Sequence, residues 1–243
     1  FKQKTAYEIS LGLVGSEMCI RDRVMGRHAG WIAAAGGLAR NSTTNSPHII
    51  LFPEIKFNQK EFLLKVKKAV AKDGYCVVVA SEGIKNTRGK FLTESKTTDS
   101  FGHAQLGGVA PYLSSLVTKN LKYKTHWAVP DYLQRSARHL SSKTDLMQAQ
   151  AVGAKAVEYA VKGMNSVMPI IVRNKTKKYS WKIEPAPLSK IANVEKKLPR
   201  SYITKDGYGI TKKAISCIIK NNSSFAILYK MFFTFFLSFQ AFR

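Results

Sequence analysis

Between residues 24 and about 213, the hydrophobic positions alternate between unbroken apolar runs and helical spacing. The runs PHIILFPE (47–54) and YCVVVASEG (75–83) have the apolar continuity of fully buried strands. The segment between them, NQKEFLLKVKKAVAKDG, has the spacing of an amphipathic helix with Asn58 as its N-cap and Gly74 as its C-terminal stop. The apolar face of this helix consists of Phe62, Leu63, Val66 and Val70.

The same alternation continues to the end of this region. VAPYLSSLVTKNL and TDLMQAQAVGAKAVEYAVKG predict helices, and HWAVPDYLQ and VMPIIVR predict strands. Buried strands that alternate with helices are typical of a parallel, doubly wound sheet, so the predicted fold class is α/β with a mostly parallel sheet. A polar stretch from Ile84 to Gly108 is longer than most connections, which predicts a binding or lid loop.

Both ends of the chain differ from this central region. Residues 1 to 23 have no helical or strand period, and residues 5 to 23 resemble a translated sequencing adapter, so we interpret this end as an artefact and not as a domain. Residues 214 to 243 are rich in phenylalanine, and we interpret them as a hydrophobic tail, mistranslated or disordered. The alternative is a membrane anchor at 225–242, because that run is about long enough to span a bilayer.

Among the features of composition, the net charge says most about possible binding partners. The 243 residues contain 39 Lys and Arg against 15 Asp and Glu, a formal net charge of +24. This balance favours anionic partners, such as nucleic acid, an anionic membrane or phosphorylated small molecules, and a solvated lysine-rich surface is the alternative. No RNA-motif, zinc-finger, helix-turn-helix, Walker A or GxGxxG pattern occurs, so nucleic acid is not an expected partner. Cys76, inside an apolar run, is typical of a reduced core residue in a cytoplasmic protein.

Three polar segments fall where strands of a parallel sheet end and ligands gather. Met25-Gly26-Arg27 precedes a helix of small residues, and an arginine among glycines suits phosphate oxygens. Glu82 directly follows a strand, where it can accept hydrogen bonds from sugar hydroxyls or act as a general base. Each of the three segments, taken alone, could instead have no ligand. The first could be a packed helix start, the second a solvated carboxylate, and the third, residues 131–139, a basic surface loop. The third segment, DYLQRSARH, supplies Tyr132, Gln134, Arg135, Arg138 and His139 for a phosphorylated, hydroxyl-rich ligand.

Taken together, MGRHAGWIAA, PEIKF, VVVASEG, FGHAQLGG and DYLQRSARHLSSKTD, in this order, resemble the phosphofructokinase family, in particular its pyrophosphate-dependent branch. The resemblance covers residues 24 to about 213 and implies a three-layer α/β/α fold. It implies transfer of a phosphoryl group from diphosphate to the 1-hydroxyl of fructose 6-phosphate, with Mg²⁺ as cofactor, in a cytoplasmic homodimer or homotetramer of glycolysis. One alternative is an enzyme of the same fold that uses ATP as the donor. The other is a fragment without catalytic activity that binds polyanions.

The resemblance also implies roles for individual residues. Met25, Gly26 and Arg27 would lie at the fructose 6-phosphate site, where Arg27 would stabilise charge on the transferred phosphoryl group. Glu82 would hold sugar hydroxyls. The second sugar-phosphate segment would consist of Tyr132, Leu133, Gln134 and Arg135, with Arg135 as the phosphate ligand.

Two motifs of the family do not occur in this sequence. One is the Gly-Gly-Asp loop that holds the donor phosphate, and the other is a Thr-Ile-Asp-Asn-Asp segment that supplies the catalytic base and helps to hold magnesium. We therefore expect a fragment truncated at the N-terminal half, without metal ligands of its own. Because the base and the donor site are both missing, we also expect the isolated chain to be inactive.

Overall fold

The computed structural model describes residues 17–24, 26–40, 45–98, 104–106, 108–130, 141–176, 179–192 and 194–220. Its main sheet has four parallel strands in the order β2-β3-β1-β6, which are Ile49–Leu51, Cys76–Ser81, Glu17–Val24 and Lys124–Ala128. Every residue of β2 and β3 is buried, as expected for strands that are covered on both faces. The predicted α/β class with a parallel sheet is therefore confirmed.

Helices cover both faces of the main sheet, because successive strand residues point to opposite sides. Val78 packs in one core cluster with Phe62 and Leu113, whereas its neighbour Val79 packs in a second cluster with Ala34 and Ile218. The result is three layers: helices, sheet and helices. The outer layers are formed by α1 (Trp31–Gly36), α2 (Gln59–Asp73), α3 (Val109–Leu121) and α5 (Lys212–Lys220).

Helix α2 has the limits that the sequence predicts. The side chain of Asn58 accepts a hydrogen bond from the Glu61 N–H at 3.2 Å, which caps the first turn. Gly74 ends the helix with a φ of +79°, in the left-handed region that glycine enters without strain. Cys76, the first residue of the next strand, is buried and forms no disulfide, as predicted.

Two further pairs of strands lie outside the main sheet. β4 (Glu94–Thr98) and β5 (Ala104–Leu106) form an antiparallel pair within the stretch for which a binding or lid loop is predicted. β7 (Val167–Arg173) and β8 (Trp181–Pro187) form a separate antiparallel sheet. The prediction that VMPIIVR joins the parallel sheet was wrong, because the connection to β8 is short and a parallel partner needs a crossover of about a dozen residues or more.

The N-terminal strand β1 lies inside the main sheet, although the sequence predicts no strand before Val24. Its backbone pairs with β3 over Met18–Val24 and with β6 over Glu17–Arg21. A parallel ladder is built from main-chain groups, so a segment without an apolar period can still form one. The adapter origin of residues 1 to 23 stays a prediction.

Helix α5 includes residue 214, at which the hydrophobic tail is predicted to start. Its Ala214 and Ile218 are buried, and Ile218 packs in the second core cluster. Residues 221–243, which include the phenylalanine-rich run, lie outside the described residues. In the part of the chain that the structure describes, no helix is both long enough and apolar enough to cross a membrane.

A buried histidine, His48, links β2 to the end of α2. Its Nδ1 accepts a hydrogen bond from the Val77 N–H at 3.0 Å, and its Nε2 lies 3.3 Å from the Asp73 carboxylate. Burial lowers the pKa of His48 from its ordinary value of 6.5, and this effect outweighs the attraction of Asp73. The folded chain therefore binds a proton at His48 less readily than the unfolded chain does.

We predict that the free energy of unfolding falls as the pH drops below about 6.5, because the unfolded chain then takes up the proton first. His48→Asn keeps an oxygen that can accept the Val77 N–H but cannot titrate, so it should reduce this pH dependence. Urea unfolding of both proteins at about pH 7.5 and 5.5 measures the difference. The same loss of stability in both proteins would contradict the assignment, because the other histidines are common to both.

Candidate functional site

The carboxyl ends of three parallel strands lie at one edge of the main sheet. Val24, the last residue of β1, is paired with Ser81, the last residue of β3. Leu51, the last residue of β2, is paired with Ala80. The loops that follow these three strands therefore begin side by side, which is where ligands of parallel sheets bind.

Close contacts hold the Gly26–Arg27 loop against the end of β3. Ser81 Oγ donates a hydrogen bond to the Gly26 carbonyl oxygen at 2.7 Å, and the Gly26 N–H donates to Glu82 Oε1 at 3.3 Å. A Cβ at Gly83 would lie 1.7 Å from the Arg27 carbonyl oxygen, so no side chain fits there. Gly26 has a φ of +131°, which side chains rarely adopt. Both glycines are thus required by the way in which the two loops meet.

The structure brings together three of the predicted site residues: Gly26, Arg27 and Glu82. Arg27 and Glu82 are half-buried. Among the described residues, the Arg27 guanidinium has no hydrogen-bond or ion-pair partner, and the Glu82 carboxylate is oriented by the Gly26 N–H. An arginine on this loop, together with the oriented Glu82 carboxylate, can bind a ligand that carries both an anionic group and hydroxyl donors. The other predicted site residues lie outside the described residues: Met25, Tyr132, Leu133, Gln134 and Arg135.

Glu54 is a positioning residue that the sequence pattern does not reveal as such. It follows β2 at the same edge, and its Oε1 accepts hydrogen bonds from the Gly30 N–H at 2.9 Å and the Leu198 N–H at 2.8 Å. Its Oε2 is buried, and a Cβ at Gly30 would lie 2.7 Å from that oxygen. Glu54 therefore fixes the start of α1 and the loop before it. The signal that could have found it is its place directly after an apolar strand, as for Glu82.

A segment near the C-terminus, residues 194–198, contacts the same loop. Glu195 is hydrogen-bonded to His28 Nδ1, and the Lys196 carbonyl oxygen accepts a hydrogen bond from Trp31 Nε1 at 2.7 Å. Together with the Glu54–Leu198 hydrogen bond, these contacts tie the segment to the start of α1. A polar cleft of about 230 Å³ opens here, and it is lined by His28, Pro53, Glu54, Lys85, Glu195 and Lys197.

The residues that the structure describes do not form a magnesium site. Within the described ranges, no group of three or more His, Cys, Asp or Glu side chains is arranged to hold a metal ion. Magnesium requires oxygen ligands in a near-octahedral arrangement, and the nearby carboxylates of Glu54 and Glu82 each accept main-chain N–H groups instead. We therefore assign no chemical step to a metal held by these residues.

Comparison with known proteins decides the family. The sequence pattern of the phosphofructokinase family matches residues 16–160. The chain belongs to the phosphofructokinase family. It is 60% identical over 191 residues to a pyrophosphate–fructose 6-phosphate 1-phosphotransferase from Xanthomonas campestris pv. campestris, a match that covers 78% of this chain and 46% of that relative. A protein of the same name from Halomonas elongata is 55% identical over 190 residues, which cover 78% of this chain and 45% of the relative.

A solved phosphofructokinase structure agrees with the fold described above. The pyrophosphate-dependent phosphofructokinase from Marinobacter aquaeolei superposes with a TM-score of 0.69 at 47% identity, over 88% of this chain and 52% of that chain. The predicted phosphofructokinase-like fold is therefore confirmed. The chain spans about half the length of the curated relatives that it matches.

We predict that Gly83→Ala destabilises the chain by about 1–3 kcal/mol, because the new methyl group would overlap the Arg27 carbonyl oxygen and shift the loop. Gly153→Ala is the matched control. A Cβ at Gly153 meets nothing within 4 Å, and the residue lies in a helix, so alanine there should stabilise by about 0.5–1 kcal/mol. Urea unfolding of the two variants measures both effects. Unchanged stability of Gly83→Ala would show that the two loops are not in contact.

We predict that Glu54→Ala lowers the free energy of unfolding by about 1–3 kcal/mol, because two main-chain N–H groups lose their acceptor. Glu54→Gln keeps a side-chain oxygen at that position and should retain most of the stability. Amide hydrogen exchange at Gly30 and Leu198 should accelerate in the alanine variant only. Equal damage from both substitutions would mean that the charge of Glu54, and not its hydrogen bonding, is what matters.

Proposed function

We propose that the complete protein transfers a phosphoryl group from diphosphate to the 1-hydroxyl of fructose 6-phosphate, and that this chain carries mainly the sugar-phosphate side. One observation carries the proposal: the backbone of the Gly26–Arg27 loop is held against Ser81, Glu82 and Gly83, so that the loop bearing Arg27 lies beside an oriented carboxylate. The names of the relatives from Xanthomonas campestris and Halomonas elongata support the same reaction.

In this proposal, the two described side chains have different tasks. Arg27 binds phosphoryl oxygens and stabilises the charge that is spread over them during transfer, as arginines do in phosphoryl-transfer enzymes. Glu82 accepts hydrogen bonds from sugar hydroxyls and thereby orients the ring. Met25 and Gly26 bring the backbone close to the sugar, and Arg135 binds the 6-phosphate beside Tyr132, Leu133 and Gln134.

Diphosphate is the proposed donor, because it is the donor in the names of the relatives compared above. We further propose that the complete protein uses Mg²⁺, acts in the cytoplasm as a homodimer or homotetramer, and belongs to glycolysis. The donor site, the catalytic base and the metal ligands would then lie in the part of the complete protein that this chain does not span. ATP is the competing donor, and substituting ATP for diphosphate in an assay of the complete protein separates the two.

We predict that the 243-residue chain binds fructose 6-phosphate and that fructose binds at least about tenfold more weakly, since it lacks the phosphate that pairs with arginine. Arg135→Ala should weaken binding of fructose 6-phosphate by a similar factor, because Arg135 is the proposed ligand of the 6-phosphate. Arg88→Ala is the matched control, because Arg88 is an exposed arginine that is not among the proposed sugar-phosphate ligands. Isothermal titration calorimetry at low and at physiological salt measures all three proteins. Equal effects of the two alanine variants, with steep salt dependence, would favour a polyanion-binding fragment.

The isolated chain should show no diphosphate-dependent turnover of fructose 6-phosphate, because the family's base and donor loop do not occur in its sequence. A coupled assay for fructose 1,6-bisphosphate checks this. Turnover that Arg27→Ala abolishes would refute the expectation of an inactive fragment while supporting the proposed reaction.

A further inference from the structure

His28, the residue directly after Arg27, is held on two sides by segments that are distant from it in the sequence. Its imidazole ring stacks on the Phe91 ring, with 5.9 Å between the ring centroids and 28° between the ring planes. Its Nδ1 is hydrogen-bonded to Glu195 Oε1 at 2.5 Å, and only 35% of the His28 side chain is exposed. A stacking contact and a hydrogen bond together restrict both side-chain torsions, so they favour a single orientation of the ring.

Phe91 is a fixed support for this ring, because it lies in a hairpin that begins directly after Gly83. Lys85 and Phe91 form a β-bridge across the hairpin. The Lys85 ammonium also lies 5.1 Å from the centroid of the Phe91 ring, which is a cation–π contact. His28 is therefore positioned against the same strand end that carries Glu82.

Glu195 is also a fixed partner, because hydrogen bonds to Trp31 and Glu54 hold the 194–198 segment that carries it. An ionised carboxylate only accepts hydrogen bonds, so the Nδ1 atom of His28 carries the proton of this contact. The contact with Glu195 therefore sets both the tautomer and the direction of the imidazole ring.

The backbone around Arg27 has anchors on both sides of His28. Before it, Gly26 is hydrogen-bonded to residues at the end of β3, and after it, the Gly30 N–H donates to a buried carboxylate oxygen at 2.9 Å. Of the two residues between Arg27 and Gly30, Ala29 has only a methyl group, so His28 supplies the side-chain contacts of this stretch. Fixing the His28 ring therefore limits how far the Arg27 backbone can rotate.

We propose that His28 is a positioning residue for Arg27. Held between Phe91 and Glu195, it fixes the backbone from which the Arg27 guanidinium reaches the transferred phosphoryl group. A misplacement of about one ångström matters for such a contact, because donors stabilise a transition state only when they are already oriented. His28 acts through Arg27 and not on the substrate. This role depends on the proposed function, since that function assigns the phosphoryl group to Arg27.

Comparison of two sugar phosphates tests the role of His28. In fructose 1,6-bisphosphate the 1-phosphate is the transferred group, and fructose 6-phosphate lacks it. The unsubstituted chain should bind the bisphosphate at least about tenfold more tightly, and Arg27→Ala should remove this preference. His28→Ala should reduce the preference to about threefold or less. It should leave the affinity for fructose 6-phosphate unchanged, because the proposed ligand of the 6-phosphate is Arg135. Isothermal titration calorimetry measures both affinities.

Substitutions at Glu195 provide a second test, far from Arg27 in the sequence. Glu195→Ala should lower the preference for the bisphosphate as His28→Ala does, since the ring loses its hydrogen-bond partner. Glu195→Gln should restore the preference, because the amide oxygen can still accept from Nδ1. Glu184→Ala is the matched control and should leave the preference unchanged. The Glu184 side chain is 44% exposed, against 51% for Glu195, and it lies in β8, which packs against helix α4 (Lys143–Val161).

Backbone dynamics of the ligand-free chain provide a test that needs no sugar. The ¹⁵N order parameter of the Arg27 N–H should be about 0.85, as in rigid backbone, and should fall toward about 0.6 in His28→Ala. An unchanged order parameter, or an undiminished preference for the bisphosphate, would overturn the role of His28. Equal losses of affinity for both sugars would also overturn it, because they would show a general structural effect. A chain that binds neither sugar would contradict the proposed function, and the order parameter alone would then decide about His28.

Discussion

The parallel register of β1 against β3 is the constraint on which the candidate site depends. Because Val24 is paired with Ser81, the loop after β1 must begin next to the polar residues that follow β3. A slip by one residue would reverse the side-chain directions along the strand and separate Gly26 from Glu82. This register brings the loop after β1 so close to the residues after β3 that no side chain fits at Gly83.

A single carboxylate then joins this edge to a distant part of the chain. Glu54 Oε1 accepts two main-chain N–H groups, one from Gly30 and one from Leu198, which lies 144 residues further along the sequence. Main-chain N–H groups at the start of a helix have no partner within the helix, so a buried carboxylate oxygen is a suitable acceptor for them. The 194–198 segment is therefore part of the candidate site even though it contributes none of its predicted ligands.

The sequence predicts an element of this fold when the interactions that form it are local, and it fails when they join distant segments. Helix α2 and strand β3 follow from local patterns, the cap at Asn58 and the unbroken apolar run, and both were predicted. Strand β1 was not, because its place rests on main-chain pairing with two neighbours and not on an apolar period. The separate sheet of β7 and β8 was missed since apolar runs do not distinguish parallel from antiparallel partners.

The candidate site shows the same difference between local patterns, which the sequence reveals, and contacts between distant residues, which it does not. Strand ends and family motifs predict Gly26, Arg27 and Glu82 as site residues, whereas the partners of Glu54 are main-chain groups, which no residue spacing reveals. The loop that carries Arg27 contacts Gly83 through the Arg27 carbonyl oxygen and is hydrogen-bonded through Gly26 to Ser81 and Glu82. The backbone that carries Arg27 is therefore held in place by contacts within the chain, so ordering of this loop would add little to the conformational entropy lost when a ligand binds there. At the Gly26–Arg27 loop, a ligand would thus meet a preformed backbone and would not have to order it.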